Sequence, residues 1–202
     1  STGADYTEDS LALFGASVDD KIRHYVAKSA GFPKIVFVPT IAQAMALSQA
    51  TPNSAAVSSK TPKVERGQII SDFKRGVIDT VFNVNVLSVG FDYPELRIII
   101  DAVPTMSLAR HYQKVGRLTR QHPSKQIGAV VDLAGNTQMF GRVEDIEIRK
   151  IGTTHHVFSG EKQLTGVWFG DGFVPEIKEA TEFEDVKITF GKFKGETITT
   201  AP

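Results

Sequence analysis

The sequence predicts an α/β domain built on a mostly parallel sheet with helices on both faces. The first observation is a set of five short, largely apolar segments, which is the pattern of buried parallel strands. The second is that segments with helical spacing of apolar residues alternate with them along the chain. The third is a set of helix start and stop signals, because Ser, Thr or Pro precedes several helical segments and Gly follows them.

The strand predictions depend on β-branched and apolar composition. Each segment is four to eight residues long and is bounded by turn-forming residues. The predicted strands cover residues 34–39, 54–59, 79–86, 96–102 and 126–133. Short connections between such strands and the intervening helices favour right-handed parallel crossovers.

Helical periodicity predicts the elements between the strands. One helix covers residues 17–30, with two aspartates in its first turn. Two more cover residues 40–49 and 61–75, and the second of these has Pro62 at its first position and Gly76 beyond its end. The expected N-caps are Thr40, Thr61 and Ser107.

Composition excludes several classes of protein. The 202 residues include 23 basic and 23 acidic side chains, so net charge argues neither for nor against a nucleic-acid partner. The absence of cysteine excludes disulfides and thiolate metal sites and favours a cytoplasmic location. No apolar run is long enough to span a membrane. Because the chain opens on Ser1 rather than Met, we expect a fragment of a longer protein.

The segment 113–120 has the most informative pattern in the chain. If it is helical, one face carries an amide and two guanidinium groups, from Gln113, Arg117 and Arg120. The opposite face then carries Leu108, Tyr112 and Val115. Gly116 inside such a helix costs roughly 1 kcal/mol relative to Ala, which indicates that a ligand approaches the backbone closely.

Local counter-ions are missing around this segment. No acidic residue lies between Asp101 and Asp132. The unpaired basic residues are Arg110, Lys114, Arg117, Arg120 and Lys125. A polyanion could neutralise them, and the guanidinium fork matches phosphate oxygens. A solvated basic face is the alternative interpretation.

Loops at the carboxyl ends of the strands are the expected binding edge of such a sheet. They are rich in Ser and Thr, carry little acid, and cover residues 39–40, 58–60, 88–92 and 104–107. Hydroxyl and backbone N–H groups there can donate to phosphates, with help from helix N-termini. Simple helix capping remains an alternative for each loop.

Three motifs together resemble those of superfamily 2 helicases and translocases. Gln113-x-x-Gly116-Arg117-x-x-Arg120 resembles motif VI, and residues 83–94, with Gly90-x-Asp92 followed by Pro94, resemble motif V. Residues 34–39 and the helix after them are similar to motif IV. The order and spacing match over about residues 30–140. The residues within these motifs are similar to those of the DEAD/DEAH-like helicases of phages and bacteria, a group akin to restriction-enzyme motor subunits.

This resemblance implies the second RecA-like lobe of a two-lobe motor. We assign residues 1–150 to that lobe and residues 151–202 to a small β-rich appendage. The chain contains neither a phosphate loop nor an acidic Mg²⁺ motif, which belong to the first lobe. ATP, with Mg²⁺ held by the absent N-terminal lobe, would therefore bind between the lobes, and this fragment alone should be inactive.

The resemblance also implies roles for individual residues. Arg117 and Arg120 correspond to arginine fingers that reach the ATP γ-phosphate. The nucleotide-contacting positions are Gln113, Gly116, Gly90 and Asp92. The positions that contact the backbone of a nucleic-acid strand, which we expect to be DNA, are Ser58, Ser59, Ser88 and Thr105.

Other interpretations are less consistent with the pattern. A degenerate lobe could serve as a non-catalytic scaffold for nucleic acid or protein. A nuclease built on Asp101 and Asp132 is a third hypothesis, although aspartates at strand ends more often cap or pair with arginine. His155 and His156 point opposite ways on a strand, which argues against a metal site. We interpret His111 as a phosphate-side or surface group.

Overall fold

The computed structural model describes residues 6–87, 91–125 and 127–164. A five-stranded, wholly parallel sheet has the order β2-β3-β1-β4-β5. Its strands are β1 Lys34–Phe37, β2 Ser54–Val57, β3 Thr80–Asn83, β4 Ile98–Asp101 and β5 Ala129–Asp132. All five predicted strands are therefore confirmed, each shorter than expected.

Helices cover both faces of this sheet, as predicted. They are α1 Glu8–Ser17, α2 Asp19–Lys28, α3 Ile41–Gln49, α4 Lys63–Lys74, α5 Leu108–Val115 and α6 Asn136–Phe140. Alternate residues of β1 separate two cores, because successive side chains of a strand point to opposite faces. Val36 packs in the core that contains α2 and α3. Ile35 packs in the core that contains Phe73 of α4 and Val115 of α5.

The N-terminal helix prediction was wrong in one respect. The expected helix 17–30 begins at Asp19, and a separate helix, α1, ends at Ser17 just before it. Of α1 only Gly15 is buried, with Phe14 partly buried against the core, so its apolar face is a weak signal in the sequence. The backbone carbonyl of Gly15 accepts a hydrogen bond from Gln43 Nε2 at 2.8 Å, which seats α1 against α3.

Two of the three expected N-caps are confirmed. The hydroxyls of Thr40 and Ser107 accept the backbone N–H groups of Gln43 and Arg110, at 3.1 and 3.3 Å. Thr61 does not cap α4, because the helix begins only at Lys63. The Thr61 hydroxyl instead accepts the N–H of Ser58 at 2.9 Å and closes the turn after β2.

A second, smaller sheet follows the parallel one, as the prediction of a β-rich appendage requires. It is antiparallel and consists of β6 Ile146–Ile151, β7 Thr154–Ser159 and β8 Lys162–Gln163. Strand β6 crosses the boundary that we drew at residue 150. The β-like segments expected within residues 166–195 lie outside the described residues. Among the helices described, none is long and apolar enough to cross a membrane.

Candidate functional site

The strand ends form a straight row across the sheet. Pairing aligns the last residues of the five strands in the order Val57, Asn83, Phe37, Asp101 and Asp132. The loops that follow these strand ends carry four of the candidate residues, Ser58, Ser59, Asp92 and Thr105. At the usual strand spacing of about 4.8 Å, the ends of β2 and β4 are roughly 14 Å apart.

Helix α5 is shorter than the sequence indicated. It ends at Val115, and Gly116 is the C-cap with φ −58° and ψ −17°. The N–H of Leu118 then bonds to the carbonyl of Val115 at 2.8 Å, a tighter turn that buries the Leu118 side chain. The continuous helix over 113–120 was therefore wrong, and Gly116 lies at a helix end rather than inside a helix.

This shorter helix changes the two faces that we expected. Tyr112 is 50% exposed instead of lying in the core. The buried residues of α5 are His111, Lys114 and Val115. Gln113 is exposed, as a residue that contacts a ligand from another lobe must be. An added Cβ at Gly116 would lie 3.0 Å from the Tyr112 carbonyl oxygen, so a small side chain is favoured there.

Arg117 is a buried arginine with a fixed direction. Its side chain lies against the segment that follows β3, and its Nη1 donates to the Phe91 carbonyl at 2.7 Å. The residue is only 8% exposed. Burial, and then the neighbouring charge of Arg120, lower the pKa of Arg117 from its ordinary value. The guanidinium is thus held in a partly desolvated position.

Arg120 is the more exposed of the two arginines. Its Nη1 forms an ion pair with Asp92, and both side chains are accessible to solvent, at 43% and 69%. The structure therefore brings residues 91–92 together with both arginines, although they are more than twenty residues apart in sequence. Ser88 and Gly90, which belong to the same loop, lie outside the described residues.

The expected absence of counter-ions was wrong for two basic residues. Arg120 pairs with Asp92, and Lys114 pairs with Asp101 at 2.7 Å. Lys125 Nζ, in addition, donates to the Leu118 carbonyl at 2.9 Å. The carboxylate partners come from loops and strands distant in sequence, which a search for acidic neighbours along the chain could not detect.

The candidate nucleic-acid contacts differ in accessibility. Ser59 is exposed, whereas Ser58 and Thr105 are 6% and 2% exposed. The Ser58 hydroxyl accepts the N–H of Lys60 at 3.2 Å, and the Thr105 hydroxyl accepts that of Ser107 at 3.1 Å. Ser58 and Thr105 therefore shape the loops after β2 and β4, and Ser59 presents its side chain to solvent.

The strand-end aspartates have internal partners. Asp101 binds Lys114, where the sequence interpretation had favoured an arginine. Asp132 accepts the N–H groups of Ala134 and Thr137, at 3.0 and 2.5 Å, and so caps the turn into α6. Within the described part of the chain, no group of three His, Cys, Asp or Glu side chains could hold a metal ion.

Two buried polar residues at this edge were missed by sequence reasoning. Asn136 is 1% exposed and bonds to Asp101 through its Nδ2 at 2.9 Å. His111 is 1% exposed, where we had expected a phosphate-side or surface group. Its ring stacks on Phe140 at a centroid distance of 5.6 Å. Neither residue has a sequence signal beyond its polar type, because each is buried by elements distant along the chain.

This chain is similar to several known proteins. The model of the helicase conserved C-terminal domain matches residues 17–122. A 51.5 kDa protein of a Lactococcus phage, isolate 7-9, is 29% identical over 144 residues, which are 68% of this chain and 31% of that protein. IRC3 of Saccharomyces cerevisiae, named as a candidate ATP-dependent helicase, is 34% identical over 83 residues, which are 41% of this chain and 12% of IRC3.

A solved structure has the same fold. It is a fragment assigned to the HsdR subunit of a type I restriction enzyme from Vibrio vulnificus YJ016, with a TM-score of 0.54 and 22% identity. The match covers 67% of this chain and 30% of that one. The chain spans less than a third of the length of the phage and yeast relatives. The family model matches just over half of the chain, which therefore belongs to the helicase conserved C-terminal domain family, as the resemblance to superfamily 2 helicases implied.

Proposed function

We propose that this lobe supplies two arginine fingers to an ATP-dependent nucleic-acid helicase or translocase. One observation carries the proposal: Arg117 and Arg120 are both anchored to residues 91–92 at the strand-end edge of the sheet. ATP would bind between this edge and an N-terminal lobe of the same polypeptide, which would also hold Mg²⁺. IRC3, whose name describes ATP-dependent helicase activity, belongs among the relatives that support this assignment.

The two guanidinium groups suit different tasks. Arg117 is buried and bonded to a carbonyl, so its charge is oriented before a nucleotide arrives. Arg120 forms an exposed ion pair, and such pairs typically contribute only about 0–1 kcal/mol, so it can leave Asp92 for a phosphate at little cost. Preorganised positive charge stabilises the phosphoryl oxygens in the transition state.

The remaining nucleotide contacts would come from α5, from its C-cap and from the loop after β3. Gln113 projects from the exposed side of α5, and Gly116 permits close approach at the end of that helix. Asp92 would accept from the ribose or return Arg120 to its resting position. Gly90 completes the set as a sequence-based assignment.

Nucleic acid would bind along the loops after β2 and β4. Ser59 is the accessible hydroxyl, and Ser58 and Thr105 fix the backbone that faces the strand. Ser88 is assigned to the same surface from the sequence. Contacts of this kind hold phosphates rather than bases, so binding should be independent of sequence and weakened by salt. We expect the strand to be DNA, and phosphate contacts alone would accept RNA as well.

Substitution of the arginines tests the proposal. In the full-length protein, Arg117→Ala or Arg120→Ala should reduce nucleic-acid-stimulated ATPase by about 10³-fold or more, because transition-state charge is no longer neutralised. Binding of labelled single-stranded DNA and RNA, measured by fluorescence anisotropy, should be largely retained. Arg75→Ala is the matched control, since Arg75 is exposed and pairs only locally with Asp72. Wild-type turnover in either site variant would contradict the assignment.

A non-catalytic scaffold is the second candidate, and one observation favours it. Lys114 and Arg120 already have carboxylate partners, so these two charges need no phosphate for neutralisation. A scaffold would bind nucleic acid without hydrolysing ATP, and its gene would encode no phosphate loop upstream. The ATPase assay on the full-length protein distinguishes the two functions.

A further inference from the structure

A buried ion pair fastens the last turn of α5 to the end of β4. Lys114 Nζ donates to both carboxylate oxygens of Asp101, at 2.7 and 2.8 Å. It also donates to the Val103 carbonyl at 3.0 Å and lies 5.6 Å from the ring centroid of Phe37. Burying two charges carries a desolvation penalty that can exceed the attraction between them. We therefore assign this pair to holding α5 in a fixed position relative to β4 rather than to adding stability.

Asn136, at the start of α6, binds the same two acceptors as Lys114. Its Nδ2 donates to Asp101 Oδ2 at 2.9 Å and to the Val103 carbonyl at 3.0 Å. Its Oδ1 accepts the backbone N–H of Thr105 at 3.0 Å. One side chain therefore connects the ion pair to the loop that leaves β4.

The same loop controls the other end of α5. The Thr105 hydroxyl accepts the N–H of Ser107, whose own hydroxyl accepts the N–H of Arg110 in the first turn of the helix. Hydrogen bonds thus connect Asn136 to the beginning of α5, and Lys114 connects its end to Asp101. A shift of the helix along its axis would break one set or the other.

We propose that Lys114, Asp101 and Asn136 form a positioning network that couples the Thr105 loop to Arg117 and Arg120. This inference rests on the proposed function, in which that loop faces nucleic acid and those arginines face ATP. None of the three residues touches the nucleotide. They set where Arg117 lies, three residues beyond Lys114, and they transmit movement of the loop to it when a nucleic-acid strand binds.

Lys114→Met and Asn136→Leu test the network in the full-length protein. A displacement of about 1 Å at a catalytic group can cost about 10²-fold in rate. We expect DNA-stimulated kcat to fall by that order while KM for ATP changes little, because the arginines act mainly in the transition state. Lys114→Arg, which retains the charge, should recover part of the loss. The double variant should lose less than the product of the single losses, since both residues bind Asp101.

Control variants distinguish a loss of arginine positioning from a loss of folding. They also distinguish failure of the network from failure of the proposed function. Lys114→Met combined with Asp101→Asn leaves no lone buried charge, so it should fold while its stimulated turnover stays low. Lys162→Met, which removes the β8 ammonium that donates to the Met139 carbonyl of α6, should behave as wild type. If the network variants keep wild-type stimulation, the network is overturned. If the wild-type protein has no ATPase, or Arg117→Ala is fully active, the proposed function fails instead.

Discussion

At the scale of single residues, His111 is the most unusual buried group near the site. Neither ring nitrogen has a hydrogen-bond partner among the described residues. Burial is the main cause that lowers the pKa of His111 from 6.5, and it outweighs the raising effect of the Asp101 and Asp132 carboxylates. As the pH falls below about 6.5, the unfolded chain therefore takes up a proton before the folded one, and stability is lost.

His111→Phe should remove this loss. The phenyl ring can keep the stacking contact with Phe140 and leaves no buried nitrogen unsatisfied. We expect the variant to be at least as stable as wild type near pH 7.5 and its advantage to grow towards about pH 5. Urea unfolding of the 202-residue chain at several pH values measures this, with exposed His155→Phe as control. Parallel loss of stability in wild type and variant would contradict the buried neutral state.

At the scale of elements, the start of α3 provides a direct test of capping. Thr40 precedes the helix in extended conformation, and its hydroxyl accepts the N–H of Gln43. Thr40→Ala should lower the free energy of unfolding by about 1 kcal/mol, because one orphan N–H loses its partner. Thr40→Ser retains the oxygen and should cost much less. Equal losses in the two variants would show that packing of the threonine methyl group, not capping, determines the effect.

Elements were predictable where a local pattern decides them. Strand β1 was read from an apolar run that is buried on both faces, and α3 from its cap and spacing. The end of α5 could not be predicted from the sequence, because the burial of Leu118 after Gly116 depends on a core contributed by other elements. Thr61 failed as a cap for a related reason, since Ser58 offered its hydroxyl an alternative partner.

The site was predictable to a similar extent. The resemblance implied that Asp92, Arg117 and Arg120 face one nucleotide, and residues 91–92 contact both arginines in the structure. The internal partners were not predictable, because Asp101 reaches Lys114 and Asn136 only after β4, α5 and α6 have packed. The sequence therefore shows which residues are charged and which motifs they belong to. The fold determines which of those charges are neutralised by a partner.

At the scale of the whole molecule, the small sheet contacts the end of α6, the helix that follows β5. Gly141 ends that helix with φ +80° and ψ −178°, a conformation restricted almost entirely to glycine. An added Cβ there would lie 2.7 Å from the Cβ of Ser159 in β7 and closer still to its hydroxyl. Lys162 also reaches across, because its Nζ donates to the Met139 carbonyl at 2.5 Å. Gly141 is therefore a position where the small sheet lies close to the end of α6.

Gly141→Ala should destabilise the chain through both backbone strain and this contact. Gly152→Ala is the matched control, because Gly152 also has positive φ, at +60°, but faces open space. We expect the control to cost about 1–2 kcal/mol and Gly141→Ala to cost more, because its backbone conformation is more restricted to glycine and overpacking adds about 1–3 kcal/mol. Adding Ser159→Gly removes the blocking side chain, so it should recover part of the second loss in urea unfolding. If Ser159→Gly recovers nothing, the loss at Gly141 comes from backbone conformation alone, and the contact between Ser159 and the end of α6 does not limit the side chain at this position.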